Sequence, residues 1–463
     1  MKSRRSRACA VRLVPLSLLF VLAASVVPRS SFAEKVLAKG DDWQVYTDGR
    51  VGGFWSWAYG QGMPQSTFQS SPDPNDSTKV ICTQVGEVKG GGFGAIPEQG
   101  PAVGCTPDRG TINSMRIRSG AIGNTLGFGV RSQVTPWTTM TGYVQFWSYI
   151  ESEGRQKNVR NYIDVRQGYA KLEGWWGSLL AGRTRALFSR GATDIQTMYA
   201  FRWGVGWPGG GGIDNYGPTL GMIGFGVMGS GFASGMIYGT PVLNGFQLNV
   251  GAFDPIALYG NGTFTRTKYV RPEAELTYEW KFGETGKIFL FGNGLYQKVY
   301  KPLCEPQTDP NVPGCDATAY GVGYGGRFEL GPVHLGVAAH YGQGLGTNYA
   351  LESTDASTDS AGNLRTVDGY YIQTQVVVRR FDLFAGWGIN RIFLTNFDRL
   401  PPSAGNPVIH SILKYQMGIN AGIVFNFTPN THFDIDYFRA EAKWFYGESQ
   451  VVHVTNAGVT FNW

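Results

Sequence analysis

Charged residues are scarce in this 463-residue sequence, at 16%, against about 25% in an ordinary soluble domain. Beyond the first 33 residues, the sequence also lacks any run approaching the roughly 18 consecutive apolar residues that mark a membrane-spanning helix. Cysteine is rare, with five residues, whereas glycine is abundant, with 66. Low charge without long apolar runs is typical of strands that have one lipid-facing and one water-facing side.

The N-terminus has the pattern of a secretory signal peptide. An apolar segment spans Leu13 to Val27, and Ser31-Phe32-Ala33 supplies small residues at a cleavage site. The basic residues of the leader are Lys2, Arg4, Arg5, Arg7, Arg12 and Arg29. The apolar segment is short for a membrane-spanning helix. We therefore expect export, cleavage after Ala33, and a single mature domain over residues 34–463.

Removal of the leader changes the charge balance. Residues 1–33 contain six basic and no acidic residues, so the mature chain has 34 basic and 34 acidic residues. The sequence pI of 8.9 belongs largely to the leader. The charge of the mature chain therefore gives no indication of nucleic-acid binding.

The cysteines also indicate an oxidising compartment. Cys9 belongs to the leader, and the other four fall as two local pairs, Cys82 with Cys105 and Cys304 with Cys315. This is one of three possible connectivities, favoured because each pair lies within one turn-rich segment. We expect both disulfides to close external loops.

Period-two alternation is the main structural signal. In Leu413 to Phe427, apolar side chains alternate with polar or small ones over fifteen residues, and Arg271 to Phe282 repeats the pattern. Strands of soluble sandwiches are usually shorter. Long strands with aromatic ends predict an all-β fold, a transmembrane antiparallel β-barrel.

About sixteen such strands are predicted, an even number within the range of bacterial barrels. In the first half they are Trp43 to Tyr59, Arg116 to Val134, Thr139 to Glu151, Asn161 to Gly174, Ser178 to Phe188, Gly231 to Val242, Phe246 to Ala257 and Tyr269 to Phe282. In the second half they are Lys287 to Tyr300, Tyr320 to Leu330, Val333 to Gly346, Gly369 to Arg379, Phe381 to Phe393, Leu413 to Phe427, Thr431 to Gly447 and Val451 to Trp463. In the fourth strand the alternation changes phase, which predicts a bulge at Gln167-Gly168.

Short and long connections alternate, as expected for a barrel with tight periplasmic turns and long external loops. The longest connections are Gly60 to Met115 and Gly191 to Ser230. The second contains Tyr199, Trp203 and Trp207, apolar surface that a disordered segment would lack. We therefore expect Gly191 to Ser230 to pack against the rest of the chain.

Enzyme signatures are weak. Gly321 to Gly326 matches a dinucleotide-binding glycine pattern, but no helix follows it. The five histidines lack the spacing of known metal sites, and no spacing indicates a catalytic triad. We expect no enzymatic activity, cofactor or metal, with an outer-membrane barrel enzyme as the rival class.

The chain resembles the general diffusion porins of Gram-negative outer membranes. The resemblance rests on the layout of about sixteen strands, a long loop after the fifth strand, an aromatic end at Phe461-Asn462-Trp463, and the passages Arg166 to Gly174 and Gly177 to Arg183. It implies a trimer in the outer membrane, passive diffusion of small hydrophilic solutes, and a third long loop, Gly191 to Ser230, that folds inward to narrow the pore. A solute-specific channel for sugars or organic acids is the alternative.

Two further features concern the barrel wall. Glycines of the first strands, at positions 49, 52, 53, 127 and 129, suggest a close-packed outer wall suited to a trimer. In the last strand Val459, Phe461 and Trp463 are expected to face lipid, with this strand closing the barrel against Trp43 to Tyr59.

The alternation also predicts the charge of the pore. The expected constriction residues are Arg116, Arg118, Arg131, Arg166, Arg183, Arg185, Asp194, Arg202 and Asp214. The acids expected to point inward from the opposite wall are Glu273, Glu275, Glu279, Asp434 and Asp436. Two facing surfaces of opposite charge would set up a transverse field across a water-filled gap. Because the loop supplies few acids, we expect at most a mild preference for anions.

Overall fold

The structure is a computed structural model that describes residues 34–64, 68–89, 92–93, 109–120, 122–148, 164–198, 221–258, 266–283, 285–301, 314–351, 357–359, 361–400 and 409–463. The leader, residues 1–33, lies outside this part of the chain. Cleavage after Ala33 therefore stays a prediction.

Alternating side chains form long strands through most of the described chain. The strands of the first half are β1 (Lys35–Lys39), β2 (Trp43–Gln61), β3 (Phe68–Asp73), β4 (Asp76–Gln84), β5 (Gly86–Lys89), β6 (Thr111–Arg118), β7 (Asn124–Thr135), β8 (Thr138–Ser148), β9 (Asp164–Gly174), β10 (Gly177–Arg185), β11 (Phe232–Gly239) and β12 (Phe246–Phe253). Those of the second half are β13 (Arg266–Thr267), β14 (Arg271–Phe282), β15 (Gly286–Tyr300), β16 (Asp316–Leu330), β17 (Val333–Gln343), β18 (Thr366–Val378), β19 (Phe381–Phe393), β20 (Ile409–Asn426), β21 (Thr431–Trp444) and β22 (Ser449–Asn462). The helix α1 (Arg190–Met198) and a 3-10 turn at Phe397–Arg399 complete these elements. Among the described residues, no helix is both long and apolar enough to cross a membrane.

Sixteen antiparallel strands close into a barrel, which confirms the predicted fold. β2 is the first, β6 and β7 together form the second, β8 to β12 are the third to seventh, and β14 to β22 are the eighth to sixteenth. β22 closes the barrel against β2, with Thr460 paired to Gly52 and Phe461 to Val51. This closure was expected from the sequence.

The second strand is interrupted, which the sequence did not predict. β6 pairs with residues 54–61 of β2, toward its C-terminal end, and β7 pairs with residues 43–50, toward its N-terminal end. Extra residues around Gly120 leave the ladder between the two halves. There the Gly52 amide donates to the Asn124 side-chain oxygen at 2.7 Å, so a side chain replaces a missing backbone acceptor.

The bulge expected in the fourth strand is present one residue earlier. Gln145 of β8 pairs with Gln167 of β9, while the next residue, Phe146, pairs with Val165. Arg166 is therefore the extra residue of the bulge.

The N-terminal segment extends the seam of the barrel. β1 pairs with β2 from Lys35 opposite Thr47 to Lys39 opposite Gln44, just beyond the point where Trp463 bonds to Gly49. β1 thus continues the line of β22 along the same edge of β2. This short segment has no alternation from which the strand could have been predicted.

The glycines of the first strands accommodate side chains of this chain itself. A Cβ on Gly129 would lie 2.1 Å from the Tyr46 ring, on the inward face. A Cβ on Gly49 would lie 2.1 Å from the Trp463 ring. The expected outer-wall role is therefore wrong for Gly129, whereas Gly49 provides the space in which the terminal tryptophan packs.

Apolar residues fill part of the barrel interior. Residues 221–230, the described end of the long loop, bring Met222, Phe225 and Val227 against inward-facing side chains of β18 to β22. The Phe225 and Phe438 rings lie 5.1 Å apart, edge to face. A Cβ on Gly388 would lie 2.0 Å from the Phe225 carbonyl oxygen, so the loop backbone requires glycine there. The described end of the loop, residues 221–230, lies inside the barrel and packs there, as predicted for the loop.

Candidate pore lining

The helix that begins the long loop is fastened to the inner wall. The Phe188 amide donates to Glu273 of β14 at 2.8 Å, and Arg190 Nε donates to Glu275 of the same strand at 3.0 Å. Ile195 of α1 is fully buried in the same apolar cluster as Phe291 of β15. The start of the loop therefore lies inside the barrel, where α1 packs along β15 to β17 and Phe188 and Arg190 bond to β14.

These contacts overturn the expected acidic surface. Glu273, Glu275, Asp434 and Asp436 do point inward, but only 4%, 2%, 1% and 2% of each residue is exposed. Glu273 pairs with Arg271 at 2.7 Å, and Asp436 accepts from Asn456 at 2.6 Å. Alternation predicted the face correctly but could not show what covers that face.

Glu279, the fifth of these acids, is also compensated. Its carboxylate pairs with Lys287 at 2.9 Å and approaches Lys281 at 3.6 Å. The predicted transverse field across a water-filled gap is therefore not supported by the acids of this wall.

The opposite wall carries a chain of hydrogen bonds that begins at one carboxylate, Asp48, and continues through neutral phenol, amide and hydroxyl groups. Tyr143 donates to Asp48 at 2.9 Å, and the Gln145 amide donates to the Tyr143 hydroxyl at 3.1 Å. The Gln167 amide donates to Gln145 at 3.0 Å, and the Thr184 hydroxyl donates to Gln167 at 3.1 Å. We call these five residues the inner-wall chain, and it crosses from β2 to β10.

Aromatic rings accompany the inner-wall chain. The Tyr46 and Tyr143 rings are stacked with centroids 6.3 Å apart, and the Tyr143 and Tyr169 rings are 5.4 Å apart. The Trp147 indole donates to Gln145 at 2.8 Å. Tyr143, Trp147 and Tyr169 remain partly exposed. This side of the lumen therefore combines ring faces with amides and hydroxyls.

Three of the predicted arginines lie on the inward face of the second strand. Arg116 pairs with Ser56 and is exposed, whereas Arg118 pairs with Phe54 and is buried. Arg131 lies at the periplasmic end, 3.2 Å from Glu34. The three side chains are spread along the wall rather than gathered at one level.

Arg166 and Arg185 are held in ion pairs. Arg166 contacts Asp164 at 2.6 Å and lies over the Trp147 ring at 4.7 Å. Arg185 contacts Asp194 of α1 at 2.5 Å. Of the described constriction candidates, Arg185 and Asp194 are thus brought together, and their pairing ties the loop to the end of β10.

Arg183 differs from its expected inward position. It is in phase with exposed Leu179, and it pairs with exposed Ser234 of β11. Thr184, its neighbour, bonds to Gln167 of the inner-wall chain. Arg183 therefore belongs to the outer face, near the external end of β10, where water and head groups border the strand. Arg185 shares this phase, but it is the last residue of β10 and its guanidinium reaches Asp194 of α1. The orientation of Arg183 was predicted wrongly because Leu179 and Leu180, one in each phase, make the two faces of this strand equally apolar.

Several candidate residues lie outside the described part of the chain, namely Arg202, Asp214, Cys105 and Cys304. Cys82 and Cys315 are described, and each is in a disulfide bond. The predicted pairings and the roles of Arg202 and Asp214 stay predictions.

The inner-wall chain was not predicted, because the pore-lining residues were sought among the charged side chains. The available signal was the run of Thr141, Tyr143, Gln145 and Trp147 at alternate positions of β8. Such a run of phenol, amide and indole groups on the water-facing phase indicates a hydrogen-bonding wall.

Solved structures similar to this chain share its barrel. The outer-membrane channel DcaP of Acinetobacter baumannii superposes with a TM-score of 0.58 at 14% identity, covering 93% of this chain and 100% of that chain. The anion-selective porin of Comamonas acidovorans gives a TM-score of 0.53 at 12% identity, covering 91% and 100%. Neither a family model nor a curated protein matches the sequence. At these identities the likeness establishes the porin fold.

Proposed function

We propose that the chain forms a water-filled channel in the outer membrane for passive diffusion of small hydrophilic solutes and ions. The observation that carries this proposal is the position of the inner-wall chain. It lies inside a closed barrel, across from a loop that packs on the opposite wall. Hydrophilic solutes would pass groups that replace their water hydrogen bonds. The loop Gly191 to Ser230 would narrow the path.

The outer-membrane location follows from the same structure. Exposed apolar side chains such as Ile419 and Ile423 alternate along β20 with buried Asn420. An outward apolar band on a closed sixteen-stranded barrel suits the bacterial outer membrane. Export by the leader, with cleavage after Ala33, would bring the chain there.

We further propose a homotrimer. The outward face of β2 and β22 carries an aromatic cluster in which Trp57 lies 4.8 Å from Tyr59 and Tyr59 lies 5.1 Å from His453. Trp55 extends the cluster to 6.5 Å from Trp57. Aromatic residues are enriched in the cores of protein interfaces. Native mass in mild detergent tests this proposal, and a monomer alone would contradict it.

A solute-specific channel is the second candidate, because of the Tyr46, Tyr143 and Tyr169 rings beside the inner-wall chain. Ring faces next to amides provide both the apolar and the polar contacts that a sugar or an organic acid uses. A general channel has no need of such an arrangement.

Planar-bilayer conductance with the purified protein, followed by liposome swelling with neutral solutes of increasing size, tests the proposal. A general diffusion channel should give rates that fall smoothly with solute size. A solute-specific channel should show saturation and competition for one chemical class. Gln167→Leu, which removes an inner-wall amide, should alter solute rates. Ile419→Leu, on the outer face, is the control. A barrel that conducts no ions would contradict both candidates.

A further inference from the structure

A basic patch lies on the outer face of the barrel, away from the lumen. Arg266 of β13 pairs with Tyr300 of β15, and Lys268 follows in the same outward phase. Lys298 also faces outward, because its neighbours Gln297 and Val299 are buried on the inner face. We call Arg266, Lys268, Lys298 and Tyr300 the outer basic patch.

The two lysines converge on one ring. Lys268 Nζ lies 4.3 Å and Lys298 Nζ lies 5.6 Å from the centroid of the Tyr300 ring. A tyrosine face attracts an ammonium group through its quadrupole. Tyr300 therefore holds two cations near each other on an exposed surface.

Among the residues that the structure describes, the charge of the patch is only partly compensated. Asp316 of β16 forms an ion pair with Lys298. Three cations and one carboxylate leave an excess of positive charge. Like charges in close proximity repel each other most where the surrounding dielectric is low. An anion bound between them would relieve this repulsion.

The height of the patch on the barrel indicates which anion. β15 begins at Gly286, after the short turn from β14. Lys298 lies twelve residues further on, about 40 Å along the strand and about 30 Å along the barrel axis at the usual tilt. The apolar band of such barrels is about 25 Å tall. The patch therefore lies just above the acyl chains, at the level of the outer head groups.

The surface below the patch supports this placement. Val270, just before β14, Tyr296 of β15 and Tyr324 of β16 are 61%, 50% and 59% exposed and face outward. Exposed aromatic and apolar residues at this position are typical of the girdle where acyl chains meet head groups. A lipid lying on Val270 and Tyr324 would place its head group against Lys268 and Lys298.

We propose that the outer basic patch binds the phosphate group of an outer-leaflet lipid, with its acyl chains on the surface below. Lys268 and Lys298 supply the ammonium donors, and Arg266 supplies a guanidinium suited to bidentate contact with phosphate. The inference uses the outer-membrane setting proposed above but not the conductance of the barrel.

The test is lipid binding by the intact protein in detergent, measured by native mass spectrometry and by titration. The probe is diphosphorylated lipid A, compared with the same lipid after dephosphorylation. Lys268→Ala with Lys298→Ala should weaken binding of the phosphorylated probe by about 30-fold, the loss expected for two cations at a membrane surface. Lys281→Ala, at the opposite end of β14, should leave it unchanged.

Three further measurements each support or overturn lipid binding at the outer basic patch. Lys268→Arg with Lys298→Arg should retain binding, because the charge is kept. Equal binding of the dephosphorylated probe would overturn the proposal, since the acyl chains alone would then account for affinity. Displacement of the lipid by millimolar inorganic phosphate would indicate a free-anion site and would also overturn it. Conductance measured on the same variants should stay at the wild-type value, which separates failure here from failure of the channel.

Discussion

Arg190 and Glu275 form an ion pair that fastens the start of the long loop to the inner wall of β14. The Arg190 Nε lies 3.0 Å from Glu275 Oε2, and the Glu275 side chain is 2% exposed. Because Glu275 is held within the wall while Arg190 belongs to the loop, their contact determines where α1 lies in the lumen.

Glu275→Gln should loosen this attachment. Removing one partner of a buried ion pair costs about 3 to 5 kcal/mol, because the remaining charge is left uncompensated. We expect larger single-channel conductance with more current noise, as α1 leaves the wall. Arg190→Gln combined with Glu275→Gln should be quieter than Glu275→Gln alone. Glu279→Gln, near the periplasmic turn, is the matched control, and equal noise in the two glutamate variants would contradict the role of the pair.

The terminal tryptophan should be needed for barrel assembly. Trp463 donates its amide to the Gly49 carbonyl at 3.0 Å, and its ring covers Gly49. Deleting Trp463 removes both contacts at the seam between β22 and β2. We expect export across the inner membrane to continue while the folded, heat-modifiable form in the outer membrane decreases. Gly49→Val, which introduces a side chain where the ring lies, should give the same defect. Insertion at wild-type levels would show that the seam does not need these contacts.

Much of this fold was predictable because a strand with one lipid-facing and one lumen-facing side shows alternating apolar and polar residues in its sequence. Phe381–Phe393 was predicted with its observed bounds, and the pairing of the last strand with the first was also foreseen. The break before Asn124 was not, because its stability depends on a side chain that accepts a bond from a distant amide. Long-range contacts of this kind leave no local pattern in the sequence.

The pore lining was less predictable for a related reason. Alternation gave the inward face of Glu273 and Asp434 but not their burial. The burial of Glu273 depends on how the start of the loop packs, since its carboxylate binds the amide of Phe188, 85 positions away in the chain. Arg183 was misplaced because charge was taken as the sign of a water-facing phase, although a strand end lies beside head groups and water as well.

The disulfides should be local and external. We expect Cys82 to be linked to Cys105 and Cys304 to Cys315. Both Cys82 and Cys315 are in disulfide bonds, and β3 and β4 form a separate hairpin around Cys82. Mass mapping of non-reduced peptides checks the connectivity. Free thiols or crossed pairs would contradict it.

An external ion pair should respond to acid only at low pH. Burial alone would raise the pKa of Asp398, but its hydrogen bonds and ion pair with Arg365, with further bonds from Thr395, hold that pKa below its usual range. The Arg365 guanidinium lies 2.7 Å from Asp398. A carboxylate with a lowered pKa stabilises the folded loop above its unfolded pKa of about 3.9 and loses this effect as the pH falls through the lower folded value.

Hydrogen exchange of Thr395 to Leu400 checks this expectation. After correction for intrinsic rates, protection should stay constant from neutral pH to about pH 4, near the unfolded pKa of aspartate, and should fall below it. Asp398→Asn should lower protection at pH values above the acid step and should remove that step. Loss of protection between pH 5 and 7 in the wild type would contradict the lowered pKa.

Ion selectivity should depend on the pair formed by Arg185 and Asp194 rather than on isolated arginines. The two groups lie 2.5 Å apart, with side-chain exposures of 28% and 13%, so their charges largely cancel for a passing ion. Charges act on permeating ions mainly within the Debye length, about 8 Å at physiological salt. Asp194→Asn should therefore shift the reversal potential toward anion selectivity, and Arg185→Ala should shift it toward cation selectivity. The double variant should return near the wild-type value. Arg183→Ala, on the outer face, should produce no shift in a low-salt gradient. A shift with Arg183→Ala equal to that with Arg185→Ala would mean that β10 presents both arginines to the permeating ions.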